Sequence, residues 1–160
     1  MHFESLGSLE AELVNISIRA RPDLGLANIT PRYDAEAGVL VADKTPTPPV
    51  PYGMHIGGVV LDLDPYYCQA CFELLLREKY WTIDNQLSIP RAIDGQVEFD
   101  RLAVKRQSFD VEMVVSKNPQ LNLVQILFGS TQHTSAIRLS PAFFALIRGD
   151  SLCGFMARLN

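Results

Sequence analysis

Residues 44 to 53, Lys-Thr-Pro-Thr-Pro-Pro-Val-Pro-Tyr-Gly, constrain this chain more than any other stretch. Proline has no backbone N–H to donate and a fixed φ, so such a run can be neither helix nor central strand. It is a stiff surface connection, and regular structure must lie on either side of it.

Upstream, from Glu12 to Arg19, Val14, Ile16 and Ile18 alternate with Asn15, Ser17 and Arg19. That is the period of a strand with one buried face. A turn-like Tyr33-Asp-Ala-Glu36 precedes a short apolar run, Gly38 to Ala42. Residues 1–50 therefore read as the β-rich N-terminal part of one domain spanning 1–160, with 54–160 as its core. A chain of 160 residues suffices to bury one core without disulfides or metal.

Downstream, Gly57 to Leu63 reads as a short strand buried on both faces, ended by Asp64-Pro65. From Tyr66 the apolar residues fall at 66, 67, 70, 71, 74 and 75, with Arg77 and Lys79 near the end. This spacing predicts a helix over 66–80. Gln96 to Asp100 suggests a strand, and Phe109, Val111, Met113 and Val115 alternate as another. Asn118-Pro119 could open a helix, although Leu121 to Phe128 would serve equally as a strand. Two apolar runs flank Gly149-Asp150 between Ala136 and Arg158, which predicts a hairpin. The expected fold is α+β: a single domain with a mixed or largely antiparallel sheet and one main helix at about 66–80. Leu61 to Pro65 and Ile137 to Pro141 look alike at an offset of 76, over too few residues to be a repeat.

The net charge is −4 and the basic residues are scattered, the densest cluster being Arg101, Lys105 and Arg106. Nucleic-acid binders gather Lys and Arg along a face, so no nucleic-acid partner is expected. No apolar run approaches the ~18 residues that span a bilayer. The first fifteen residues lack the basic start and apolar stretch of a secretory signal. The expectation is a cytoplasmic chain without a membrane partner.

Three cysteines do not make a disulfide framework, and two of them form Cys68-Gln-Ala-Cys71. At a helix start, unpaired N–H groups and partial positive charge would stabilise a thiolate on Cys68, and Cys71 could resolve a mixed disulfide. The plainer reading makes both cysteines small apolar core residues. A structural zinc would need two further ligands, and Cys153, His55 and His133 have no ligand-like spacing. No cofactor is expected.

Val59-Val-Leu-Asp62-Leu-Asp-Pro-Tyr-Tyr67-Cys68-Gln-Ala-Cys71, with Pro141 and Gly149, resembles the thioredoxin superfamily over residues 58–80 and 136–158. The resemblance implies that Cys68 attacks, Cys71 resolves and Asp62 is a buried acid assisting proton transfer. Pro141, as a cis-proline, would shape the substrate groove, and the partner would be a protein thiol. Other resemblances share these residues. Asp62 and Asp64 resemble the nucleophile strand of haloacid-dehalogenase-like phosphatases, but Tyr66 stands where threonine or valine is expected and no second acid follows Asp150 at the usual place. The expected helix followed by strands resembles hot-dog thioesterases, with Glu73 or His55 as candidate groups. Tyr33 to Ala37, Gly58 to Asp62 and Phe72 to Leu75 resemble YuzE-like domains, in which residues 68–76 would be a strand. The rival to a thiol–disulfide oxidoreductase is a non-enzymatic protein-interaction module with structural cysteines, presenting an apolar patch or a sheet edge. The lone Trp81 is a partner-binding anchor if exposed and a core residue if not.

Overall fold

The computed structural model describes residues 15–129 and 132–160. The expected strand start at residues 12–14 and the segment weighed as a leader lie outside them, apart from Asn15. Three sheets account for most of the structure. A six-stranded sheet holds β2 (Arg32–Asp34), β3 (Val39–Val41), β4 (Tyr52–Ile56), β5 (Val59–Leu63), β6 (Gln69–Leu75) and β10 (Ser108–Phe109). Its order is β10-β4-β5-β6-β3-β2. A seven-stranded sheet holds β7 (Thr82–Ile83), β8 (Ala92–Asp94), β11 (Met113–Asn118), β12 (Leu123–Phe128), β13 (Ser135–Ser140), β14 (Phe143–Arg148) and β15 (Ser151–Arg158). Its order is β7-β11-β12-β15-β14-β13-β8. The pair β1 (Ile18–Arg21) and β9 (Gln96–Phe99) forms the third sheet. The single α-helix among the described residues is α1 (Arg101–Arg106).

The expected α+β class with a main helix at 66–80 is thus overturned, and the protein is predominantly β. Residues 64–68 form a turn and 69–75 form β6, hydrogen-bonded between β5 and β3. Ala70, Phe72 and Leu74 face the core, while Cys71, Glu73 and Leu75 alternate with them. The paired apolar spacing that suggests a helix counts Tyr66 and Leu75, both of which are exposed. Without that helix the chain does not have the arrangement a thioredoxin-like reading needs.

Elsewhere Tyr52 and Gly53 end the proline connection by entering β4. The alternation at 109–115 divides between β10 and β11, which join different sheets. Asn118-Pro119 opens a hairpin turn rather than a helix, because the Asn118 Oδ1 accepts from the backbone N–H groups of Gln120 and Leu121.

The two large sheets repeat one topology. In each, an antiparallel hairpin (β2-β3, β11-β12) precedes a three-stranded meander (β4-β5-β6, β13-β14-β15), and the last strand of the meander returns to pair with the hairpin. A short strand lies parallel to the first meander strand in both, β10 on β4 and β8 on β13. The pairing registers superimpose at a spacing of 83 or 84 residues, so Leu40 corresponds to Val124, Phe72 to Phe155 and Gln69 to Leu152. Even the bulge recurs: an extra residue interrupts β6 at Ala70 and β15 at Cys153. The chain is an internal structural duplication, one strand out of step with the offset of 76.

The two sheets pack face to face. Phe72 meets its counterpart Phe155 edge-on with ring centroids 5.0 Å apart, and it meets Phe143 at 5.1 Å. A continuous core of Met54, Leu61, Leu74, Val124, Ile126, Phe128 and Ala145 surrounds them. The opposite face of the seven-stranded sheet is apolar as well, with Leu123, Phe144, Leu146, Cys153 and Met156 buried.

Candidate binding groove at the Asp64 turn

The two copies differ where their last two meander strands connect. Gly149-Asp150 joins β14 to β15 as a two-residue turn, with Gly149 in the left-handed region that such turns require. In the first copy, Asp64 to Cys68 takes that place. The Asp64 carboxylate organises it, Oδ1 accepting from the backbone N–H of Tyr66 (2.8 Å) and of Cys68 (3.0 Å). Backbone bonds close it: the Tyr67 N–H donates to the Asp64 carbonyl and the Asp64 N–H to the Cys68 carbonyl.

This geometry forces Tyr67 to φ +66°, a left-handed conformation that costs a non-glycine residue about 1–2 kcal/mol. Interactions beyond the turn hold it there. Its carbonyl accepts from the Phe99 N–H at 2.8 Å. Its ring stacks on Tyr52 with centroids 4.8 Å apart and planes inclined by 22°. The Arg101 guanidinium carbon stands 5.6 Å from the Tyr67 ring centroid. A hydrogen bond donated to the Tyr67 hydroxyl and the proximity of that second phenol raise the Tyr52 phenol above its ordinary range.

Three clefts wrap the turn. The first, about 300 Å³, is lined by Arg21, Leu24, Asp64, Tyr66 and Cys68. The second, about 370 Å³, shares Arg21 and Tyr66 with it and adds Tyr67, Glu98, Asp100 and Arg101. The third, about 380 Å³, shares Tyr67 and Arg101 with the second and adds Pro51, Tyr52, Val104 and Lys105. Together they form one groove running from the end of β1 to α1. Tyr66 stands 75% exposed at its first junction, and Leu102 on α1 is 77% exposed.

Charge is divided unevenly along the groove. Arg21 is bound to Asp23 (2.8 Å) and Glu98 (2.6 Å). Its guanidinium holds the Glu98 carboxylate below the usual range, against the opposing effect of desolvation. Asp100 caps α1, accepting from the Leu102 N–H at 2.7 Å. Arg101 and Lys105, one helical turn apart on α1, have no carboxylate partner among the described residues.

The residues singled out for thiol chemistry are placed differently. Cys68 is only 1% exposed, with Sγ 4.0 Å from the Tyr66 carbonyl oxygen. Burial first, and then the Asp64 charge, push its thiol up to about 11. Cys71 lies beyond the bulge on the alternate, half-exposed face of β6. Desolvation, followed by Asp43, Asp62 and Glu73, pushes it up to about 11 as well. Both shifts oppose thiolate formation. Asp62 pairs across the strands with Cys71 and is half-exposed rather than buried. Pro141 is exposed in the turn joining β13 to β14, and its peptide bond is trans, Thr45–Pro46 being the cis bond among the described residues. Cys153 is buried, which raises its thiol. No cluster of three His, Cys, Asp or Glu residues suited to a metal occurs among the described residues. None of the helices is long and apolar enough to cross a membrane, again among the described residues.

Trp81 is a core residue, 7% exposed, its indole N–H donating to the Leu76 carbonyl at 3.1 Å and its ring edge-on to Tyr33. Tyr52, Tyr66 and Tyr67 carry the groove instead, none of them singled out by sequence pattern as site residues. The available signal was Asp64-Pro-Tyr-Tyr67 between two apolar runs, a turn with two large aromatics where small polar residues are usual. No protein-family model matches the chain, and no curated protein matches it.

Proposed function

We propose that this protein is a non-enzymatic interaction module that takes a segment of a partner protein into the groove around Asp64 to Cys68, with Cys68, Cys71 and Cys153 as structural residues. One observation carries this reading: a tyrosine is kept in a strained backbone state where two of the three clefts meet. Strain of this kind persists where the surroundings over-determine it, and it gathers at sites of function. Tyrosine also suits recognition, since it offers a large rigid face and a polar tip at low entropic cost. The duplication strengthens the point, because the second copy solves the same connection with two residues and no strain on a bulky side chain.

The reading is tested by selecting peptides from a random displayed library on the full chain. Binders should be recovered, and they should lose about tenfold or more in affinity on Tyr66→Ala and Tyr67→Gly, the cost of a central aromatic anchor. Recovery of no binder, or of binders indifferent to both substitutions, would contradict it. So would efficient disulfide reductase turnover by the purified chain.

A further inference from the structure

Resting on the interaction-module reading, we infer that the segment the groove accepts is acidic: carboxylates seated between Arg101 and Lys105, with an apolar side chain in the cleft beneath Leu24 and Tyr66.

Charge complementarity carries the inference. The chain has a net charge of −4, yet three of its cations, Arg101, Lys105 and Arg106, sit on the six residues of α1. Every acid lining the groove is already engaged. Asp64 accepts from two backbone N–H groups of its turn, Glu98 binds Arg19 and Arg21, and Asp100 accepts from Leu102. The cation at the far end, Arg21, is likewise paired. Among the groove's cations, those without a counter-charge among the described residues lie at its α1 end.

Arg101 and Lys105 both line the third cleft, beside Tyr52 and Tyr67. A carboxylate entering there would meet a guanidinium fork, an ammonium and the one phenol O–H that the Tyr52–Tyr67 pair leaves free, a donor set suited to an oxyanion. Arg106 points elsewhere, its guanidinium carbon 4.4 Å from the Phe109 ring centroid, and is not assigned to the partner. At the opposite end Leu24, Tyr66 and Cys68 give a mostly apolar cleft in which Arg21 is paired and the Asp64 carboxylate, held by backbone N–H groups without a cationic partner, would repel a second acid. Nothing there would hold a second acid, and an aliphatic or aromatic side chain would cover exposed Leu24 and Tyr66.

The test uses the peptides recovered from the random library, measured by fluorescence anisotropy on the full chain. The recovered peptides should be enriched in Asp and Glu next to an apolar residue. Arg101→Gln and Lys105→Gln should each weaken binding about tenfold, the scale of a charge-assisted hydrogen bond, at an unchanged thermal midpoint. As a control that does not depend on a loss of binding, Arg101→Glu should abolish binding of the acidic peptide and recover it for the same peptide with its acid changed to Lys. Binders that need Tyr66 and Tyr67 but are neutral or basic, or that ignore both α1 substitutions, would overturn the acidic assignment and leave the interaction module standing. An absence of binders, or binders that ignore the tyrosines, would overturn both.

Discussion

Gln69 gives the sharpest test of the packing. It is the first residue of β6, paired with Leu63 just before the bulge, and is 3% exposed. Neither its side-chain nitrogen nor its oxygen has a hydrogen-bond partner among the described residues. A buried amide left in this state costs on the order of 1–3 kcal/mol. The duplication supplies the replacement, because the corresponding position before the bulge of β15 is Leu152, buried in the same way. Gln69→Leu should therefore stabilise the fold by about 2 kcal/mol, the desolvation penalty being removed while the side chain keeps nearly the same bulk. For a chain of this size that raises the thermal midpoint by roughly 4–8 °C. In urea the transition midpoint should rise with an unchanged m-value, since the surface exposed on unfolding is the same. A variant less stable than the parent by 1 kcal/mol or more would refute the reasoning and show that the Gln69 amide makes bonds the native fold depends on.

Phe72→Ala should lose ~3–5 kcal/mol in denaturant unfolding, because its ring touches both Phe143 and Phe155 at the centre of the interface; a loss under 1 kcal/mol would contradict the face-to-face packing. Gly154→Ala should cost ~3 kcal/mol or prevent folding, since a β-carbon there would collide with the Ile126 carbonyl oxygen; a stable, well-folded variant would show that β12 and β15 are not so closely paired. Cys68 and Cys71 have thiols raised from 9.0 to about 11, so the folded state binds their protons more tightly than the unfolded state does. Stability from this source is fully present below pH 9 and falls as the pH rises from about 9 to 11. Cys68→Ala should flatten that decline in pH-resolved unfolding, and an unchanged slope would remove Cys68 as its cause.

Much of the β architecture was legible locally. The prolines at 46 to 51 mark the connection, the apolar run at 59–63 marks β5, and Gln96 to Phe99 is a strand as its alternation suggests. Residues 66–80 misled because apolar pairs at 66, 67, 70, 71, 74 and 75 fit a helical stripe, whereas Ala70, Phe72 and Leu74 fit a strand equally well. Pairing with β5 and β3 decided the outcome, and neither partner is visible in a local window. The duplication was hidden because a strand position demands only that its side chain be apolar and of suitable size. Leu40 and Val124, or Ala70 and Cys153, satisfy that demand without identity, and Phe72 with Phe155 is a rare matched pair. In the groove, the Asp64-Pro65 turn could be read from sequence, and so could the basic cluster on α1. That Tyr67 reaches Tyr52 and Arg101 depends on contacts 15 and 34 residues away, which only the assembled sheets create.

The central claim is that partners are bound at the Asp64 turn, and backbone amide chemical-shift mapping of the full chain titrated with a library-selected peptide tests it most directly. The expected result is saturable shifts concentrated at residues 64–68, 98–105 and Tyr52, with the sheet interiors around Phe72 and Phe155 unmoved. Shifts confined to the far edges of the sheets, at Thr82–Ile83 or Ala92–Asp94, would contradict it and place binding at a sheet edge.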